Sequence, residues 1–270
     1  MNDHATLRHA CAAIEDVLPR FTELLRNDPD VTARAVGTWT LPDVACHISH
    51  VIRTDADALA RRELPVVQLS PAGVAEWNTS TLADDPERDV RALADRIDKL
   101  GAGFFEVTAN PPADPVTWLG GTHLPPSAVV CHLLEELLVH GHDAASATGT
   151  SWPIDPAHAA LAIVGGVLPI VAASPQSWAR ASDDTRIRAR VEVRLRGFER
   201  FTLALENGLR VESPLAHARV DAHLSVDPAT LLLVMPGRQS VWRAVRGGNA
   251  VAWGRRPQAL LTLLRDTVLP

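Results

Sequence analysis

Residues 135–143 read Glu135-Glu136-Leu137-Leu138-Val139-His140-Gly141-His142-Asp143, inside a longer apolar stretch bounded by Pro126 and Gly149. At about 100° per residue, Val129, Leu133, Glu136, His140 and Ala147 fall within a helical sector about 60° wide. One face of this helix therefore carries a carboxylate and an imidazole one turn apart among apolar neighbours. That face belongs in a core, where such a pair is costly unless its members satisfy each other or bind something.

Three more helices are expected upstream. Leu7, Cys11, Ile14, Leu18, Phe21 and Leu25 alternate in steps of four and three, a helical stripe that Pro19 is expected to bend. Thr40-Leu41-Pro42-Asp43 combines a Thr cap, an acidic residue three later and a proline in the first turn, so a helix starts there and runs to about residue 62. His47 on it shares a face with Val44, Ile48 and Val51 and points to the interior. Val90, Leu93, Ile97, Leu100 and Phe104 predict a third helix over 85–107. Long connections on either side of that helix suggest a four-helix bundle with a crossover.

Beyond Gly149 the pattern changes. Residues 150–156 have the Pro-rich composition of a domain junction, and the 15-residue apolar run 159–173 holds Gly165, Gly166 and Pro169, short of the roughly 20 residues a bilayer span needs. It reads as a buried helix. Ala189, Val191, Val193 and Leu195 then alternate with Arg188, Arg190, Glu192 and Arg194, a strand with one wet face. Asn207-Gly208 between two apolar segments signals a hairpin, Asp227-Pro228 opens a short helix, and 259–269 reads as a terminal amphipathic helix. The expected class is α+β, with an all-α bundle over 1–150 and a small α+β domain over 151–270.

Composition narrows the function classes. The 270 residues include 26 basic and 32 acidic side chains, a net charge of -6, and no Lys/Arg cluster, which excludes a phosphate-backbone footprint and hence nucleic acid as a partner. Apolar residues at 46% and charged residues at 21% allow a packed core. The N-terminus lacks a basic region followed by an apolar one, so a cytoplasmic protein without a membrane partner is expected. Cys11, Cys46 and Cys131 are odd in number and far apart, which fits reduced core thiols. Lys99 is the only lysine among the 26 basic residues and tyrosine is absent, a bias that follows from G- and C-rich codons.

From spacing alone, Glu136 and His140 form either a buried hydrogen-bonded pair or, with His47, part of a divalent-metal site that leaves positions open. His50 and His132 are nearby competitors. Glu135 and His142 define an alternative face, expected nearer the outer surface of the helix.

Two segments carry a family resemblance. Residues 37–47, Gly-Thr-Trp-Thr-Leu-Pro-Asp-Val-Ala-Cys-His, resemble the start of the second helix in DinB-like four-helix metalloenzymes. Residues 135–143 resemble the helix of their mycothiol-dependent maleylpyruvate isomerase branch, with His142 where an apolar residue is common. Residues 221–225 and 231–238 resemble the sterol-carrier-like C-terminal domain of that branch. The resemblance implies that His47, Glu136 and His140 bind a divalent metal, commonly zinc, and that mycothiol, a thiol of high-GC Gram-positive bacteria, is the cofactor or co-substrate. It implies a thiol S-transferase acting on a small electrophile, with a maleylpyruvate-type cis-trans isomerase as the alternative and a lipid or small-molecule carrier as a reading of another class. Arg238 and Arg246 are candidate substrate contacts and Trp77 and Asn78, placed before the third helix, candidate cofactor contacts. Oligomeric state is not legible.

Overall fold

The structure is a computed structural model that describes residues 2–27, 30–179, 188–213 and 219–267. It divides into two compact units, Met1–Ile154 and Asp155–Pro270.

The first unit is built on four long helices: α1 (Asp3–Arg26), α2 (Leu41–Leu59), α4 (Val90–Thr108) and α5 (Pro126–Thr148). Helices α1 and α2 each pack against both α4 and α5. The expected stripe of α1 is buried at Leu7, Ile14, Leu18, Phe21 and Leu25, and the helix runs unbroken through Pro19. Asp43 fixes the start of α2, accepting from the Thr40 N–H at 2.9 Å and from the Thr40 hydroxyl at 2.7 Å. Gly149, at φ 68°, ends α5 in the left-handed conformation that glycine adopts without strain.

The structure corrects the third helix. The expected 85–107 element begins later, at Val90, where the Asp89 side chain caps it by accepting from the N–H groups of Arg91 and Ala92. A further helix, α3 (Pro71–Asp84), precedes it, capped by Ser70. Only Leu82 of α3 is buried, so no apolar stripe announced it. Trp77 and Asn78 thus lie on a helix rather than in a connection. Two short hairpins complete the unit, β1 (Arg34–Val36) with β2 (Trp39–Thr40) and β3 (Val116–Thr117) with β4 (His123–Leu124).

In the second unit the apolar run forms α6 (Pro156–Ala162), one wide π turn (Ile163–Val167) and α7 (Leu168–Ala173). Together these 18 residues are long and apolar enough by composition to cross a membrane, yet Ala159, Ile163, Val167, Ile170 and Val171 are buried within the protein, as a core helix requires. A five-stranded sheet follows in the order β7-β6-β5-β8-β9, comprising β5 (Ala189–Leu195), β6 (Arg200–Leu205), β7 (Leu209–Glu212), β8 (Ala222–Val226) and β9 (Ala250–Gly254). β5 and β8 are parallel and the other pairs antiparallel. The alternation of β5 is realised, with Ala189, Val191, Val193 and Leu195 buried.

The Asn207-Gly208 hairpin forms, but Leu205 pairs with Leu209, so three residues make the turn. A side chain at Gly208 would crowd the Pro175 backbone, a close approach that itself calls for glycine. Helices α8 (Pro228–Val234), α9 (Val241–Arg246) and α10 (Ala259–Asp266) complete the unit. Residues 268 and 269 of the expected terminal helix lie outside the described residues. The chain is α+β, all-helical at its core in the first unit and sheet-based in the second.

Gly141 is where α5 meets the segment that leaves the bundle. The Trp152 ring lies against its backbone, where a Cβ atom would overlap the indole, and Trp152 Nε1 donates to the Leu138 carbonyl at 3.1 Å. The Arg20 guanidinium covers the indole at 4.4 Å from its ring centroid. Gly141→Ala should therefore destabilise the protein by about 1–3 kcal/mol, the usual range for overpacking, despite alanine's higher helix propensity. Denaturant unfolding of the two proteins checks this; equal stability would mean the indole moves aside freely.

Candidate metal centre

His47 lies in the second turn of α2, and the Thr40–Asp43 cap sets the rotation at which it faces α5. His47 Nε2 is 3.1 Å from Glu136 Oε2, and His140 Nε2 is 3.3 Å from the same oxygen. One donor atom from each of the three residues lies within 4.8 Å of the others. In a tetrahedral zinc site with bonds of about 2.0–2.1 Å, adjacent N and O donors are ~3.3 Å apart. The two measured separations already match such edges. His47 is 4% exposed and His140 8%, so both imidazoles are held away from bulk water.

Neighbouring groups aim these donors. Asp143 Oδ2 lies 3.1 Å from His140 Nδ1, which leaves Nε2 to face Glu136. His132 Nε2 lies 3.4 Å from the other Glu136 oxygen, Oε1, while His132 Nδ1 lies 2.8 Å from Asp55 Oδ2. Trp118 Nε1 donates to Asp55 Oδ1 at 2.9 Å. A chain Trp118–Asp55–His132 thus reaches Glu136 from the side opposite the two ligand imidazoles. The Trp39 ring closes another wall, its centroid 5.1 Å from that of His47 and 6.2 Å from that of His140.

The protonation states follow. Burial pushes His47 below the usual imidazole range, with Glu136 opposing, so it is a neutral donor. Burial would also lower His140, but Asp143 and Glu136 outweigh it and hold the group up to about 9. Burial likewise opposes the shift of His132, which Asp55 and Glu136 raise well above the ordinary value. Glu136 is held well below the carboxylate range by His132, His140 and His47, against its own burial. Without a metal, a proton on His140 fills part of the role a cation would play.

The sequence-expected trio His47, Glu136 and His140 is thus brought together. Glu135, the competing carboxylate, is not near an outer surface: it is 7% exposed, because α5 is buried on nearly every face. His132 enters as a support of Glu136, and His50 turns to a different flank, 2.8 Å from Asp85. Trp77 lines a cavity with His50 and Asp85. Arg238 belongs to the second unit and donates to the Pro236 carbonyl at 2.8 Å, and Arg246 lies in the last turn of α9. Sequence reasoning missed the roles of Trp39, Asp55, Trp118, His132 and Asp143. Asp143, three residues after His140, carried a readable signal; Asp55 and Trp118 are 63 positions apart and carried none.

A sequence profile for the mycothiol maleylpyruvate isomerase N-terminal domain matches residues 11–145, half of the chain. The chain belongs to this family. Its fold is similar to the crystal structure of a mycothiol-dependent maleylpyruvate isomerase, with a TM-score of 0.51 and 15% identity over 89% of this chain and 94% of that one. A histidine-to-alanine mutant of such an isomerase is similar with a TM-score of 0.52 and 14% identity, over 93% and 95% of the two chains. No curated protein matches the sequence. Members of the mycothiol maleylpyruvate isomerase family are enzymes, and so is this chain. The family match ends at residue 145, just beyond Asp143 and before Gly149 closes α5.

His140 is raised in the folded state, so its stabilising effect is full below the unfolded imidazole value and fades as pH climbs through about 9. Chelator-treated protein should lose stability over that window, and zinc binding near pH 7.5 should release roughly one proton as the ion replaces it. Calorimetry in two buffers of different ionisation enthalpy reads the proton count; no release would contradict the assigned states. Asp55→Asn should lower metal affinity about 10- to 100-fold by loosening His132 and with it Glu136. Competition with a zinc indicator dye measures that change, with circular dichroism confirming the fold.

Proposed function

We propose that the protein is a zinc-dependent enzyme that uses mycothiol as nucleophile and transfers it to a small electrophile. The observation that supports this most directly is the convergence of two imidazoles and one carboxylate from facing helices, with donor separations of 3.1 and 3.3 Å. Two His and one carboxylate suit a catalytic divalent ion with an open position, whereas closed structural zinc sites use four protein ligands. His47, Glu136 and His140 would hold the ion. Bound there, zinc would lower the pKa of a thiol and hold it as thiolate.

The chain's own residues supply the rest. Asp143 and the Asp55–His132 pair keep the ligands in register, and the Trp39 ring excludes water from one side. Trp77 and Asn78 on α3 are the candidate contacts to the thiol cofactor, and Arg238 and Arg246 those to an anionic substrate. Transfer is favoured over isomerisation of a diacid because the centre suits many electrophiles and marks no single diacid, whose recognition would call for cationic contacts, with Arg238 and Arg246 the candidates.

The isomerase reading is supported by the likeness to the maleylpyruvate isomerase structure along most of both chains. A carrier reading has its own support in the second unit, where Val167, Leu203, Leu224, Leu231 and Leu263 help to line an apolar cavity of about 420 Å³. That unit is proposed to be sterol-carrier-like, and the reading as a whole places the protein in the cytoplasm.

The test follows mycothiol and substrate together. Metal-loaded protein is offered mycothiol, or glutathione as control, with a panel of electrophiles that includes maleylpyruvate. Consumption of mycothiol with formation of a thioether is expected. Conversion of maleylpyruvate with mycothiol unconsumed would establish the isomerase instead, and no turnover with any electrophile would leave the carrier. In parallel, zinc should raise the melting temperature of the wild type but not of His140→Ala or Glu136→Gln. Equal zinc stabilisation of His140→Ala would remove His140 from the ligand set.

A further inference from the structure

Cys46 and His50 lie one helical turn apart on α2, on a flank other than the one that presents His47, and Asp85 meets them at the end of α3. We propose that Cys46, His50 and Asp85 form a second divalent-cation site, of the zinc class and with one sulfur donor. Cys46 Sγ is 3.8 Å from His50 Nε2, His50 Nε2 is 2.8 Å from Asp85 Oδ2, and the three donor atoms all lie within 4.8 Å of one another. A tetrahedral ion with Zn–S of about 2.3 Å and Zn–N or Zn–O of about 2.0 Å sets donor edges of ~3.5 Å and ~3.3 Å. The Cys46–His50 and His50–Asp85 edges therefore lie about 0.3 and 0.5 Å from those values.

The cluster is stiff. Cys46 and His50 share a helix anchored by the Thr40–Asp43 cap, and Asp85 is fixed through both oxygens. Its Oδ1 accepts the Glu87 N–H at 3.1 Å, and Arg96 Nη1 lies 2.5 Å from Oδ2. Arg96 keeps the carboxylate ionised and takes the outer place that orienting partners occupy around metal ligands. Ion pairing among His50, Asp85 and Arg96 satisfies those three groups but gives no reason for a thiol beside them. A soft sulfur donor added to nitrogen and oxygen is the set that zinc accepts and that magnesium or calcium does not. His50 and Asp85 also line a cavity of about 470 Å³ with Arg53, Thr54, Trp77 and Thr81, from which water can supply the fourth ligand. On binding, the Cys46 thiol gives its proton to solvent and no electrons are exchanged. An ion here would tie the middle of α2 to the α3–α4 connection.

The sulfur makes this site distinguishable from the centre at Glu136, on which the proposal does not depend. The full-length, reduced, chelator-treated protein is titrated with cobalt(II), and thiolate-to-cobalt charge-transfer absorption is recorded together with the number of ions bound. About two ions per chain are expected, with the charge-transfer band present in wild type and unchanged in His140→Ala. The band and one of the two ions should be lost in Cys46→Ser and in His50→Gln. Because Cys46 is fully buried, Cys46→Ser can fail to fold; His50→Gln, whose side chain borders the cavity, then carries the comparison, with circular dichroism as the check. Absence of the band in wild type would overturn the proposal and leave the cluster an ion-pair staple. A band surviving in His50→Gln would overturn it too, by assigning the thiolate to another arrangement.

Discussion

The carboxylate of Glu136, with only 18% of its side chain exposed on a helix that has almost no solvent-facing side, is the constraint around which the first unit is arranged. An isolated charge in such a place costs several kcal/mol even after relaxation, so the fold must bring compensating groups to it. It brings three imidazoles: His47 across from α2, His140 one turn along α5, and His132 one turn back. Two of these share Oε2 and the third takes Oε1. This division separates the face that can bind an ion from the face that holds the carboxylate in position. The carboxylate is thereby held through both of its oxygens by three imidazoles.

Helix α2 has to deliver its contribution at one rotational setting. A slip of one residue would turn His47 away by about 100° and present Cys46 or Ile48 to Glu136. The Thr40–Asp43 cap and Pro42 in the first turn fix where the helix starts, and Arg88 Nε adds a contact to Asp43 Oδ1 at 3.0 Å from the loop before α4. The same rigidity places Cys46 and His50 on their own flank. One short capping motif therefore sets the geometry of two clusters of ligand-type side chains.

The bundle was legible where periodicity and capping agree. The stripe of α1, the cap of α2 and the Gly149 terminus of α5 all have local causes, and a local cause leaves a local pattern. Helix α3 was missed because it buries only Leu82, so its signal reduced to Ser70-Pro71, a start without a stripe. The hairpin at Asn207-Gly208 was read correctly as a reversal, but Gly208 answers to the Pro175 backbone rather than to a two-residue turn. The ligand trio could be suspected from spacing on α5, which set Glu135 and His142 on an alternative face expected nearer the outer surface; Glu135 is in fact buried, so exposure does not separate the two carboxylates. The supporting groups Asp55 and Trp118 could not be read at all. Their contact joins distant segments and has no period.

Charge decides what the centre is suited to hold. Counting Glu136, Asp55 and Asp143 as ionised and His132 as imidazolium, with His47 and His140 neutral, the cluster has two negative charges in excess. A proton on His140, which its neighbours hold up to about 9, removes one of them. A divalent cation in its place removes both and leaves the buried set neutral, whereas a monovalent ion would do no better than the proton. An anionic thiol sulfur added to the loaded set would carry the excess back to one negative charge, the same as in the metal-free, protonated state. The centre is therefore electrostatically matched at both ends: it can take up a divalent ion by giving away a proton, and it can accept one anionic ligand without exceeding a charge it already tolerates.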